Sequence, residues 1–183
     1  MLCTLLLALG GLVAFETPPS TTAPVAMAEA ARGTEALLTA RDRRVRTNDE
    51  RIQMLLAQGI RRSATFASLV AALSATDVIV YIEPVRQLPS KLSGRLLLIS
   101  QGRGAQRYLR IQVMSQTAAN DLISTIGHEL QHALEIAAAG DVQDQLGLER
   151  LYQQIGRTGL DKHSYDTEAA QNTGRRIRSE LAG

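Results

Sequence analysis

The stretch that most constrains this chain is His128-Glu129-Leu130-Gln131-His132. Only three histidines are present, and two of them stand here, four residues apart with a glutamate between them. Leu122, Ile126, Leu130, Ala133 and Ala137 recur around them at helical spacing, with Ile123 and Leu134 alongside, and no proline interrupts residues 115–141. The stretch is therefore an amphipathic helix. On a helix, positions i and i+4 share a face one turn apart, so both imidazoles can reach one ion. Glu129 follows His128 by about 100° of rotation and stands beside that ion. Neutral imidazole is a good zinc ligand, and a carboxylate at this position can accept a proton from activated water. His128 and His132 are thus candidate metal ligands and Glu129 a candidate general base.

The segments around this helix set the fold class. Residues 1–28 carry an apolar run, Leu5 to Phe15, and a small-x-small site at Ala26-Met27-Ala28. They read as a signal peptide, or as an anchor if uncleaved, and predict an exported chain, periplasmic or secreted. The only cysteine, Cys3, lies in this segment, so a mature chain has no disulfide and no thiol chemistry. Residues 29–183 are long enough for a single domain, divided into N-terminal helices over 29–76 and a core over 77–183. A net charge of +2 with mixed signs offers no stripe for nucleic acid. The one basic cluster, Arg175, Arg176 and Arg178, reads as a solvated last turn complementing a helix dipole.

Helical composition runs from about Ala28 to Arg46, and Thr47-Asn48-Asp49-Glu50 marks a break and a new N-cap. Ile52 to Ile60 forms a second helix ending near Gly59, and a third runs from Ser63 to Ser74. The period then changes. Val78–Ile82 is a β-branched strand ended by Pro84, and Leu96–Ile99 is apolar enough for a strand buried on both faces. Arg107–Val113 alternates, with Leu109, Ile111 and Val113 on one face and Tyr108, Arg110 and Gln112 on the other. The turn Gln101–Gly104 makes the last two strands a hairpin, and Arg107–Val113 then offers an edge for an extended peptide. Beyond the motif helix, residues 142–155 form a helix closed by Gly156, Thr158 to His163 is loop, and Tyr165 to Leu181 is the last helix. The class is α+β: a small sheet, the motif helix, then a second helix able to donate a ligand.

A catalytic zinc takes three protein ligands plus water. Glu135 shares the motif helix and reads as a supporting or surface group. His163 and Asp166 lie in or near a loop, and Glu168 opens the last helix, where Ala169, Ala170, Thr173 and Gly174 permit close helix approach.

His128-Glu129-x-x-His132 followed by a glutamate on a second helix resembles the gluzincin branch of the zinc metallopeptidases, and the mature chain resembles a small bacterial family with an exported, minimal zincin-like domain. The resemblance implies a Zn2+ held by His128, His132 and Glu168, with Glu129 as base and a peptide or protein substrate. Tyr165, or else His163, is then the expected donor to the carbonyl oxygen. Beside this stands a reading as a non-catalytic, zinc-stabilised interaction module of the cell envelope. No membrane contact beyond the N-terminal segment is expected, and the oligomeric state is not set by the sequence.

Overall fold

The computed structural model describes residues 44–89, 92–101, 106–158 and 165–183. The signal segment, the helix expected from Ala28 up to residue 43, and His163 lie outside the described residues. Among those described, five helices accompany a four-stranded mixed sheet and a two-stranded ribbon.

The described chain opens on β1 (Val45–Arg46), followed by α1 (Glu50–Arg62) and α2 (Ala64–Ser74). Residues 45–46 were expected to be helical; they pair instead with the second strand, Val45 opposite Val80. Asp49 and Ser63 are the N-caps of the two helices, accepting from the amides of Ile52 and Phe66. α1 does not stop at Gly59. A Cβ there would fall 2.9 Å from Phe66 Cδ1, so the glycine serves packing inside the helix rather than ending it.

β2 (Val78–Val85) runs through Pro84 instead of ending before it. Val80 donates its amide to the Arg44 carbonyl, so even-numbered residues of β2 point their backbone groups toward β1. β1 ends at Arg46, and the nitrogen of Pro84 therefore faces a side of the strand where no ladder hydrogen bond is needed.

β3 (Gly94–Gln101) and β4 (Arg107–Met114) are antiparallel neighbours, and the sheet order is β1-β2-β4-β3. β4 also pairs in parallel with β2 along its full length. Two expectations change here. β4 is an interior strand and has no edge to offer a peptide; among the described strands the edges are β3 on one side and the two-residue β1 on the other. Nor is β3 buried on both faces: Leu96 and Leu98 pack on the core, whereas Ile99 is 44 % exposed. An apolar run had suggested two covered faces, but an edge strand covers only one.

The covered face carries Val78, Val80 and Ile82 of β2 with Leu109, Ile111 and Val113 of β4. The motif helix α3 (Ala119–Ala138) packs on it, with Leu122, Ile123, Ile126 and Leu130 fully buried. Arg107 shares this buried side of β4. Its guanidinium grips Asp77 through two 2.8 Å bonds and donates to the carbonyls of Ile136, Ala137, Ala139 and Val142 at and just beyond the end of α3. The hydrogen bonds from Arg107 hold the Asp77 carboxyl below the usual carboxylate range.

α4 (Gln145–Ile155) follows, and then a ribbon of β5 (Arg157–Thr158) and β6 (Tyr165–Asp166). The last helix is α5 (Glu168–Ala182), three residues shorter at its start than the periodicity suggests. Thr167 caps it, its hydroxyl accepting from the Ala170 amide, so Tyr165 and Asp166 are extended rather than helical. Arg175, Arg176 and Arg178 sit in mid-helix and not in a last turn.

Small residues bring α5 onto α3. Ser124 Oγ donates to the Gly174 carbonyl at 2.7 Å, and a Cβ on Gly127 would fall 2.2 Å from Ile177 Cδ1. At its far end Glu180 accepts from Ser63 and Thr65 at the start of α2. Burial opposes its ionisation, but these bonds hold its pKa down to about 2.

Candidate metal centre

Three elements meet at the motif. The middle of α3 presents His128, Glu129 and His132; β6 presents Asp166; α4 presents Tyr152. The ligand-type atoms of His128, His132 and Asp166 all lie within 4.8 Å of one another. Asp166 Oδ1 is 3.3 Å from His128 Nε2 and 3.8 Å from His132 Nε2. It is buried and receives no hydrogen bond from the described residues, whereas Oδ2 accepts from Gln171 at 2.8 Å. A buried carboxylate oxygen without a donor is costly unless a cation meets it. Two imidazole nitrogens and one carboxylate oxygen are also a donor set suited to zinc. The group is therefore able to hold a metal ion.

The carboxylate brought to the two histidines is that of Asp166, one of the loop candidates, and not that of Glu168. Glu168 is exposed in the first turn of α5, an ordinary place for a side chain favoured by the helix dipole. Two residues separate them, and the extended backbone of β6 makes the difference. Pairing with Arg157 anchors Asp166, while Thr167 starts the helix only after it. Tyr165 stands next to Asp166 in β6, opposite Thr158.

The His132 imidazole is fixed from behind. His132 Nδ1 is 2.8 Å from Glu135 Oε2, and Glu135 Oε1 accepts from Thr167 Oγ1 at 2.7 Å. In the neutral ring with Nδ1 donating to this carboxylate, Nε2 has a lone pair on the Asp166 side. Thr167 thus caps α5 and steadies His132 through Glu135, tying the helix that follows Asp166 to the helix that carries the histidines. The Tyr152 ring stands edge-on to His132, centroids 5.4 Å apart, and the two histidine rings are edge-on at 4.9 Å. Burial pushes the Tyr152 hydroxyl pKa far up, so it stays protonated.

Removing Glu135 should loosen this arrangement. Glu135→Ala is expected to weaken zinc binding about 10- to 100-fold, the usual consequence of losing the partner of a ligand histidine. Competition against a chromophoric chelator measures it, and an unchanged affinity would refute the orienting role.

The electrostatics follow from crowding. Burial and the neighbouring His132 lower the pKa of His128, keeping it neutral with a lone pair to give. Burial opposes protonation of His132, but its bond to Glu135 and the nearby Glu129 and Asp166 carboxylates raise its pKa overall. Three carboxylates thus draw positive charge to one spot. Glu129 is 6 % exposed. Burial, with a smaller push from Asp166 and against the pull of His132, raises its pKa to about 7. A carboxylate so placed is matched to exchanging protons near neutral pH.

Glu129 also lines a cleft of about 340 Å³, walled by Leu92, Ser93 and Gly94 at the start of β3 and by Gln171 and Gly174 of α5. A Cβ on Gly94 would fall 2.9 Å from Glu129 Oε1 and 2.7 Å from Thr125 Cγ2, so the edge strand approaches the carboxylate as closely as a glycine allows. Gly174 also lies beside His128, but less tightly: a Cβ there would meet His128 Cβ and Nδ1 at 3.5 and 3.6 Å, ordinary van der Waals contact. Sequence reasoning missed Gly94 and Thr167, though each has a signal. A glycine opening a strand marks close backbone approach, and a threonine before a helical run marks an N-cap.

Comparison with known proteins gave no match: no family model, no curated sequence and no solved structure matches the chain.

Proposed function

We propose that the protein is a zinc-dependent peptidase with a zincin-like core. The observation that carries the reading is the buried, donorless oxygen of Asp166 converging with His128 and His132 beside a buried glutamate that faces a cleft. His128, His132 and Asp166 hold the ion. This set keeps the two-histidine motif of the gluzincin likeness but takes an aspartate from β6 in place of the glutamate on the following helix.

Zinc bound there supplies Lewis acidity, polarising a carbonyl and making water acidic at neutral pH. The remaining work falls to the chain. Glu129 accepts a proton from the attacking water and returns it to the departing amine nitrogen, as a C–O bond forms and the peptide C–N bond breaks. Glu135 keeps His132 in its ligand orientation. An extended peptide pairs with the outer edge of β3, whose first residue, Gly94, walls the cleft beside Glu129.

A zinc-held interaction module is the weaker reading, because a purely structural site has no use for a buried base opening onto a cleft. The test is hydrolysis of a mixed peptide library by the full chain, stripped with a chelator and reloaded. Cleavage should vanish on stripping and return with about one equivalent of zinc, the stoichiometry of a single catalytic site. Cleavage indifferent to chelation, or none after loading, would overturn the proposal.

A further inference from the structure

The three arginines of mid-α5 divide between two environments. Arg176 turns away and pairs with Glu180 at 3.3 Å. Arg175 and Arg178, three residues apart on one face of the helix, line the cleft that Glu129 also lines. Among the described lining residues they are the only permanent cations, and Glu129 is the only carboxylate. Arg178 is held at the rim by Asp121 in the first turn of α3, Nη2 to Oδ1 at 3.0 Å, and Arg175 Nη2 donates to Asn172 Oδ1. A guanidinium has five N–H donors, so one such bond apiece steadies each group and leaves donors for a ligand.

We propose that this cleft selects peptides bearing a carboxylate close to the residues seated over Glu129, and that Arg175 and Arg178 are the specificity-determining residues. The inference rests on the peptidase reading for the identity of the ligand, and it names the substrate class: acidic peptides, the carboxylate being a side chain or a free C-terminus. A guanidinium pair meets a carboxylate in planar, forked geometry that neither a neutral amide nor a lysine can match. Both arginines are exposed, so the selectivity is modest and sensitive to salt.

The experiment uses the full chain carrying Glu129→Gln, with zinc added, so that turnover does not consume the probe. Calorimetry compares capped hexa-alanine peptides with one Glu or one Gln at each position in turn. A second arm compares N-acetylated hexa-alanine with a free C-terminus against its amide. At least one Glu peptide, or the free carboxylate, should bind on the order of two- to fivefold tighter than its neutral partner, the scale of exposed ion pairs. Whichever arm shows the preference identifies the source of the carboxylate. Arg175→Ala/Arg178→Ala should bring the ratio to about one while leaving zinc content and the circular dichroism spectrum unchanged, and Arg175→Lys/Arg178→Lys should restore only part of it. Ratios near one in both arms, or a preference that survives the double alanine variant, would overturn the proposal. The two readings fail separately. Arginine-dependent binding without cleavage by the wild-type chain leaves the selectivity standing and removes the peptidase, whereas zinc-dependent cleavage indifferent to acidic residues does the reverse.

Discussion

Glu129→Gln is expected to keep its zinc and lose peptide hydrolysis by about 10³-fold or more in kcat, the range set by removing a general base. The glutamine has the same shape but cannot accept a proton. The candidate ligands, His128, His132 and Asp166, are untouched, so metal content should match the wild type. Stability should not fall. The carboxylate is 6 % exposed and burial disfavours its charge, so a neutral amide relieves a cost rather than creating one. Metal analysis, a thermal melt and single-substrate kinetics on the same preparation separate these effects. Cleavage retained above about a tenth of wild type would exclude Glu129 as the base, since a base contributes at least about 10²-fold.

The largest loss of stability is expected at Arg107. Arg107→Met should destabilise the fold by about 2–4 kcal/mol, the cost of taking charged donors from several helix-end carbonyls at roughly 1–3 kcal/mol each, less what their remaining amide partners and water restore. All three nitrogens of this guanidinium are engaged: Nε and Nη2 on Asp77, Nη1 on Ile136, Ala139 and Val142, and Nη2 also on Ala137. The last carbonyls of a helix have no partner within it. Here one side chain serves several of them while fixing the end of the helix that carries His128 and His132 to the sheet. Methionine fills part of the volume and supplies none of the donors. Asp77 is partly exposed and can regain water, but the Ile136 contact is buried. Arg107→Lys keeps the charge and loses the fork, so it should cost less than Met but more than 1 kcal/mol, the net worth of a typical hydrogen bond. Urea unfolding monitored by circular dichroism gives both values. A change below 1 kcal/mol for Arg107→Met would mean the carbonyls find other donors.

Arg107 also shows what was and was not legible beforehand. Its parity with Leu109, Ile111 and Val113 places it on the buried side of β4, and that alternation is plain in the sequence. Its partners are not, because they lie 29 to 35 residues away, with Asp77 at 30. The helical phase of His128, Glu129 and His132 was legible for a local reason: i to i+4 geometry is fixed by the helix alone. The third carboxylate was not. Its position depends on whether Tyr165 and Asp166 are helical or extended. The ribbon with Arg157 and Thr158 and the Thr167 cap decide that in favour of extended backbone. Strand order was hidden likewise. A hairpin between β3 and β4 is local, but the parallel pairing of β4 with β2 is not, and it moves the free edge from β4 to β3.

Asp166, with His128 and His132, is proposed to hold a zinc ion. Mass spectrometric metal analysis of the full-length wild type, Asp166→Ala and Glu168→Ala, purified side by side and loaded with zinc, tests it most directly. The predicted result is about one zinc per chain in the wild type and in Glu168→Ala, as for a single three-ligand site, and little or none in Asp166→Ala. Zinc kept by Asp166→Ala and lost by Glu168→Ala, or absent from the wild type, would contradict it.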